Sequence, residues 1–224
     1  EVGCMAHARR KFHELWANHG STVGEQALKF FIQLYEIERE VRAAARFGVC
    51  FGKLVTMNSP ASRGAHPSNW EAVLWHEFCH TVTLTKTRNK MPRWLSEGIS
   101  VYEERAEVPA WGQVMTPQYR ELILSGGATP VSKLSGAFLK PPTPMHLQFA
   151  YYESSMVVEY VMERFGAKAL QGVLSDLAQD VAINTALAKH TEAIEKLDEN
   201  FAKWLKEKAE KLGSEKTKWE RPKL

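Results

Sequence analysis

The chain has 224 residues, of which 44% are hydrophobic and 25% charged, as is typical of one globular domain or of one domain with an appendage. Its formal net charge of +3 is too small to indicate nucleic acid as a general partner. No apolar run approaches the roughly 18 residues that would span a membrane. The three cysteines, Cys4, Cys50 and Cys79, do not make a disulfide framework.

The first residues, EVGCMAHARRKF, contain no apolar core of the kind that a signal peptide needs, and the chain begins with Glu rather than Met. We therefore expect a fragment or a processed product. The cellular compartment stays open, and the full-length protein could be exported.

The first 69 residues predict two helices, a strand segment and a loop. Residues 4–19 carry apolar side chains on one side of a helix. A capping-box pattern, Thr22-Val-Gly-Glu25, then opens a second helix that runs to about residue 45. The segment 47–58, FGVCFGKLVTMN, has glycines and β-branched residues without a helical period, which predicts a strand or a hairpin. The Pro, Gly and Ser content of 59–69 predicts a loop.

The remaining chain predicts helices. Ser68-Asn-Trp-Glu71 is a second capping box and predicts a helix to about Thr85. Pro92 fits the first turn of a helix that ends near Glu104. Further helices are predicted from residue 117 and over 131–138, 147–164, 167–178, 180–189 and 191–212. The predicted fold class is therefore mainly α (α+β), with a small β-sheet near residues 47–58.

The sequence HEFCH occupies residues 76–80 within one of these helices. Residues four apart lie on one helix face, so His76 and His80 could offer ring nitrogens to one metal ion. Glu77 points to the adjacent side, where it could reach water at such a metal. By themselves the five residues fit a solvated helix face with two histidines equally well.

A carboxylate for a third ligand comes from the next helix, MPRWLSEGIS. A short polar link allows this helix to fold back beside the first, which would bring Glu97 to the two histidines. Two His and one Glu form a catalytic zinc set with the fourth position open. Glu104, two turns beyond Glu97, could accept a hydrogen bond from the other ring nitrogen of a ligand histidine. Alternatively, Glu104 only begins a polar loop.

The pair HEFCH and WLSEG resembles the gluzincins, zinc peptidases typified by thermolysin and by aminopeptidases that carry HExxH followed by NEG. It is most similar to bacterial peptidase families of that clan with a W-L-x-E-G segment. The resemblance runs from about residue 47 to 212 and implies a zincin-like helical core acting on a peptide or protein substrate. It implies that His76, His80 and Glu97 bind Zn²⁺ and that Glu77 is the general base.

The segment FAYYESSMVVEYVMERFG (149–166) resembles the helix that follows the zinc site in these families, with Tyr151 in a Y-x-x-S element. The resemblance implies that Tyr151 steadies the tetrahedral intermediate, and a neutral phenol suits donation to an oxyanion. Tyr151 and Tyr152 could instead be core or interface aromatics. The strand near residue 54 could pair with an extended substrate or could simply belong to the core.

Four other side chains are expected to pack rather than to act. We expect Trp70, Trp75 and Trp94 to lie in the core and not in a substrate pocket. Cys79, inside HEFCH, is expected to be a small buried apolar residue.

The first part of the chain resembles a different protein. CMAHARRKFHELW and the helix after it are similar to DDE-class insertion-sequence transposases, with Met5 in place of the usual tryptophan. The similarity covers residues 1 to about 44 and includes none of that enzyme's three catalytic carboxylates, so it implies no transposase activity. It predicts a transposase-like helical segment over 1–45, from a fusion or fragment, and a peptidase domain over 46–224. A junction there would have removed strands from the peptidase sheet and left it incomplete.

The predicted function is a zinc metallopeptidase, a hydrolase whose substrate and choice of internal or terminal bonds are open, as is its oligomeric state. One alternative is a peptidase-derived binding or scaffold module that keeps the site without turnover. Another is a nucleic-acid-binding fragment based on residues 1–44, although the low net charge speaks against nucleic acid.

Overall fold

The structure, a computed structural model, describes residues 5–43, 48–51, 54–57 and 69–216. The chain divides into two compact units, Glu1–Val49 and Cys50–Leu224. The separate origins of the two parts, transposase-like and peptidase-like, stay a prediction. The predicted loop at 59–69 lies outside the described residues except for Asn69.

The first unit contains two helices that pack against each other, α1 (Met5–His19) and α2 (Thr22–Ala43). Gly20, with φ +56°, ends α1 in the left-handed conformation that glycine adopts without strain. The rings of Phe12 and Phe31 meet between the helices with their centroids 5.9 Å apart. Both helices agree with the sequence prediction.

The next elements along the chain are a small sheet and the helix that carries HEFCH. Strands β1 (Gly48–Phe51) and β2 (Leu54–Met57) pair in a two-stranded sheet, and β2 packs on helix α3 (Trp70–Lys86). The Asn69 side chain accepts a hydrogen bond from the Ala72 N–H, so α3 begins one residue later than the Ser68 start that the capping box predicts.

Helix α4 (Arg93–Glu107) follows α3 after a short turn and lies against both α3 and α7. Pro92 occupies the capping position before its first turn, where a missing N–H costs nothing. A Cβ atom added at Gly98 would lie 2.6 Å from the Ser154 carbonyl oxygen of α7. Glycine at this position therefore lets the two helix backbones approach closely.

The rest of the second unit is helical. Its elements are α5 (Pro117–Leu124), a 3₁₀ helix (Val131–Lys133), α6 (Leu134–Ala137), α7 (Pro144–Leu177), α8 (Ile183–His190) and α9 (Ile194–Lys216). Helix α7 is broken at Gly166, whose φ of +76° lies outside helical geometry, between the helices that the sequence predicts over 147–164 and 167–178. The core is filled by apolar side chains from α4, α7 and α9, among them Trp94, Leu95, Val157, Val161, Leu197, Phe201 and Leu205.

The mainly α fold class is confirmed, with the two-stranded sheet as its β part over the described residues. The core prediction is right for Trp94, which is 1% exposed, and wrong for Trp70, which is 45% exposed. Trp70 is the first residue of α3, and its side chain is exposed at this end of the helix. None of the helices within the described ranges is long and apolar enough to cross a membrane.

Candidate metal centre

Helices α3 and α4 bring two histidines and a glutamate together. His76 Nε2 and His80 Nε2 each lie 3.3 Å from Glu97 Oε2. The three donor atoms all lie within 4.8 Å of one another. The turn at Thr87–Asn89 makes this approach feasible, because Arg88 and Asn89 adopt positive φ values of 54° and 60° that reverse the chain.

These distances fit a metal ion. Zinc binds imidazole nitrogen at about 2.0–2.1 Å and carboxylate oxygen at about 2.0–2.2 Å, and a tetrahedral arrangement of such bonds puts neighbouring donors about 3.3 Å apart. Both separations from Glu97 Oε2 have this length. Two imidazoles and one carboxylate also form a donor set that zinc accepts.

Glu104 fixes the orientation of the His76 ring. Its Oε1 lies 2.5 Å from His76 Nδ1. When Nδ1–H donates to this carboxylate, the lone pair of Nε2 points toward His80 and Glu97. The structure thus places Glu104 at the position where the sequence predicts it, against the ring nitrogen that does not face the site.

His80 is oriented by two serines of α4 that the sequence analysis missed. His80 Nδ1 lies 2.8 Å from Ser96 Oγ and 3.3 Å from Ser100 Oγ. Ser100 donates its own proton to the carbonyl oxygen of His76 at 3.1 Å, so its oxygen is left to accept from His80. This network assigns the proton to Nδ1 and the lone pair to Nε2. In WLSEGIS, both serines stand four residues apart and flank Glu97, and this helical spacing is the pattern that could have identified them.

Burial and neighbouring charges shift the pKa values of the site residues. The side chains of His76, His80 and Glu97 are only 18%, 12% and 13% exposed. Burial lowers the pKa of His76, but its contacts with Glu104 and Glu97 outweigh burial and raise the pKa to about 10. Burial raises the pKa of Glu97, but the two histidines bring it well below its ordinary range. Because a ligand imidazole must be neutral, protons and a metal cation compete for His76.

Glu77 is buried beside the two histidines, with 7% of its surface exposed. Burial raises its pKa above the ordinary value, although the charges of His76 and His80 act in the opposite direction. A carboxyl with a raised pKa holds a proton more readily near neutral pH, which suits a group that accepts and releases one.

Tyr151 of α7 contacts Glu97 through the carboxylate oxygen that does not face the histidines. Its hydroxyl donates to Glu97 Oε1 at 3.4 Å and accepts from Arg93 Nη2 at 2.8 Å. Arg93 also donates from Nε to Glu97 Oε1 at 3.3 Å and lies over the Phe138 ring. The sequence motifs gave no role to Arg93, although this residue stands one helical turn before Glu97.

The neighbouring residues pack rather than face the site. Tyr152 is 3% exposed and stacks on Tyr119 with ring centroids 5.2 Å apart. Cys79 is buried, and burial raises the pKa of its thiol to about 12, which agrees with a packing role.

The fold and the site together define the class of protein: a helical domain with a candidate metal centre of two histidines and one glutamate. The family model of the Peptidase MA superfamily matches residues 55–207. This match covers more than half of the chain, so the protein belongs to the Peptidase MA superfamily and carries a peptidase-like domain.

A second family model, the Transposase IS66 family, matches residues 1–90. This similarity is consistent with a transposase-like fragment at the start of the chain. It extends beyond the expected limit near residue 44, into α3, and overlaps the peptidase match. Searches among curated proteins and among solved structures each found no match.

Proposed function

We propose that this protein is a zinc-dependent peptidase of the gluzincin type. The observation that carries the proposal is the convergence of His76 Nε2 and His80 Nε2 on Glu97 Oε2, at 3.3 Å each. Membership of the Peptidase MA superfamily supports the peptidase class and a peptide or protein substrate. The HEFCH and WLSEG motifs support the gluzincin type.

His76, His80 and Glu97 would hold the metal. A bound zinc ion supplies Lewis acidity, which makes water nucleophilic near neutral pH and polarises the carbonyl that is to be cleaved. Glu104 and the serines Ser96 and Ser100 keep both imidazoles in the tautomer that ligation requires.

Glu77 would act as the general base. It takes a proton from the attacking water and passes it to the leaving amine. Its burial supports this role, since a carboxylate whose pKa is raised is a stronger base toward water, and the carboxyl can still protonate the more basic leaving amine.

Tyr151 would donate a hydrogen bond to the oxyanion of the tetrahedral intermediate. Its hydroxyl contact with Glu97 Oε1 is long, at 3.4 Å, so the proton can be redirected to a substrate oxygen at small cost. Pairing of an extended substrate with the sheet edge beside α3 stays a prediction.

The test compares the zinc-loaded parent with Glu77→Gln on a library of quenched fluorescent peptides. We expect the parent to cleave and Glu77→Gln to lose about 10²–10⁴-fold in rate, because proton transfer is lost while the ligands remain. Glu71→Gln is the matched control, since Glu71 is an exposed glutamate in the first turn of the same helix.

Zinc retained by a parent chain that cleaves none of the peptides would contradict the enzyme and favour a binding or scaffold module. Equal cleavage by the parent and by Glu77→Gln would contradict the role of Glu77.

A further inference from the structure

Arg93 joins the candidate metal ligand Glu97 to Tyr151 and to the end of α6. Its Nε lies 3.3 Å from Glu97 Oε1, its Nη2 lies 2.8 Å from the Tyr151 hydroxyl, and its guanidinium carbon lies 5.3 Å from the centre of the Phe138 ring. We propose that Arg93 is a positioning residue, which holds Glu97 as a ligand through one oxygen only and fixes the Tyr151 hydroxyl beside it. This inference rests on the proposed function.

The two oxygens of Glu97 have different partners. Oε2 faces both histidine Nε2 atoms, whereas Oε1 is held by Arg93 and Tyr151. If Oε1 turned toward the metal as well, the carboxylate would take a second coordination position. The attraction between Arg93 and Oε1 opposes that rotation and so keeps a position available for water and substrate.

Arginine is suited to this task by its shape. The guanidinium is a rigid planar fork with five N–H donors, so two of its nitrogens can serve two acceptors at a fixed angle. A lysine ammonium carries the same charge at a single point on a flexible stem. It could contact Glu97 or Tyr151 but would not define the angle between them.

Aromatic rings keep the guanidinium in place. It lies against the rings of Phe138 and Tyr151, which themselves meet edge to face with centroids 5.2 Å apart. Phe138 is only 7% exposed, so its ring gives a fixed surface. The cation–π contacts restrict a side chain that is otherwise 47% exposed.

The ion pair between Arg93 and Glu97 adds little to folding stability, because Arg93 is exposed and exposed pairs are screened by water. Glu97 itself is 13% exposed and faces the histidines. The consequence of the contact is therefore expected at the metal rather than in the free energy of unfolding.

The test uses Co²⁺ in place of zinc and records the visible absorption of the parent, Arg93→Met and Arg93→Lys. Four-coordinate Co²⁺ absorbs more strongly than Co²⁺ with five or more ligands. We expect a strong band in the parent and a clear loss of intensity in Arg93→Met, with a partial loss in Arg93→Lys. Zinc affinity, from competition with a chromophoric chelator, should fall by about 10-fold or more in Arg93→Met.

Arg164→Met is the control, because Arg164 is an exposed arginine of α7 outside the metal centre. It should keep the parent spectrum. Circular dichroism checks that each variant is folded, and Arg93→Lys alone decides if Arg93→Met does not fold.

The outcomes separate the two proposals. A parent that binds Co²⁺ with a strong band, together with an unchanged spectrum in the folded Arg93 variants, would overturn the positioning role and leave the proposed function standing. A parent that binds neither Co²⁺ nor zinc would overturn the proposed function, and the role of Arg93 with it.

Discussion

Two serines decide which nitrogen of His80 faces the metal ligands. Ser100 gives its proton to the His76 carbonyl oxygen, so its Oγ can only accept from His80. Ser96 Oγ, at 2.8 Å, is the nearer partner of the same ring nitrogen. Both serines are buried, and water therefore replaces them poorly if they are removed.

We predict that Ser96→Ala weakens zinc binding by about 10–100-fold, because the His80 ring loses the acceptor that orients it. Ser100→Ala should have a smaller effect, since its contact with His80 is 3.3 Å long. Chelator competition measures both affinities. Ser125→Ala, an exposed serine at the end of α5, serves as the control, and parent-like affinity in Ser96→Ala would contradict the assignment.

At the scale of elements, α4 organises the site, because one helix supplies Arg93, Ser96, Glu97, Ser100 and Glu104. Its position depends on a close approach to α7 at Gly98, where an added Cβ would lie 2.6 Å from the Ser154 carbonyl oxygen. That oxygen belongs to a buried stretch of backbone and cannot move aside without shifting α7.

Gly98→Ala is expected to lower the free energy of unfolding by about 1–3 kcal/mol through overpacking, even though alanine favours a helix more than glycine does. Urea unfolding followed by circular dichroism measures the change. Gly136→Ala is the matched control, since a Cβ there meets nothing within 4 Å. Equal stability of Gly98→Ala and the parent would show that α7 can give way.

Local patterns predict the helices that carry the ligands. Pro92 marks the start of α4, and the four-residue spacing of His76 and His80 puts both rings on one face of α3. The capping box misplaces the start of α3 by one residue, because the capping residue is Asn69, which accepts the N–H of Ala72.

Other parts of the site depend on contacts between distant segments, which no local pattern contains. Phe138 meets Arg93 and Tyr151 only because α4, α6 and α7 pack together. Trp70 illustrates the same limit. A large aromatic residue on a helix predicts burial, but Trp70 is exposed, because its exposure depends on which segments lie beside α3.

At the scale of the whole molecule, the core contains one carboxyl group with few partners. Glu153 of α7 is fully buried, and its Oε1 accepts the Thr129 N–H at 2.6 Å. Its Oε2 has no hydrogen-bond partner among the described residues. Burial raises the pKa of Glu153 from its ordinary 4.5 to about 8, against the opposing effect of the Thr129 hydrogen bond.

This shift has a definite sign for stability. The folded protein holds the Glu153 proton up to about pH 8, whereas the unfolded chain releases it above about pH 4.5. Unfolding therefore releases a proton between these values, and the contribution of Glu153 to stability, complete below pH 4.5, is lost as the pH rises to about 8.

We predict that Glu153→Gln is more stable than the parent at pH 8. The difference between their free energies of unfolding should be larger at pH 8 than at pH 5, by an amount on the order of a few kcal/mol. Glutamine keeps an acceptor for Thr129 but does not ionise. Urea unfolding of both proteins at pH 5, 6.5 and 8 measures this difference. Because all other titratable groups are common to both proteins, their effect on stability cancels in the subtraction. A difference that is the same at all three pH values would contradict the buried, protonated carboxyl.

The central claim is that one metal ion is held jointly by α3 and α4, and the zinc content of the purified chain tests it most directly. Zinc per chain is measured after loading and desalting in the parent, Glu77→Gln, His80→Ala and Glu97→Ala. We predict about one zinc in the parent and in Glu77→Gln, and a loss of stoichiometric zinc in the other two. A parent without stoichiometric zinc, or full zinc retention in His80→Ala and Glu97→Ala, would contradict the account.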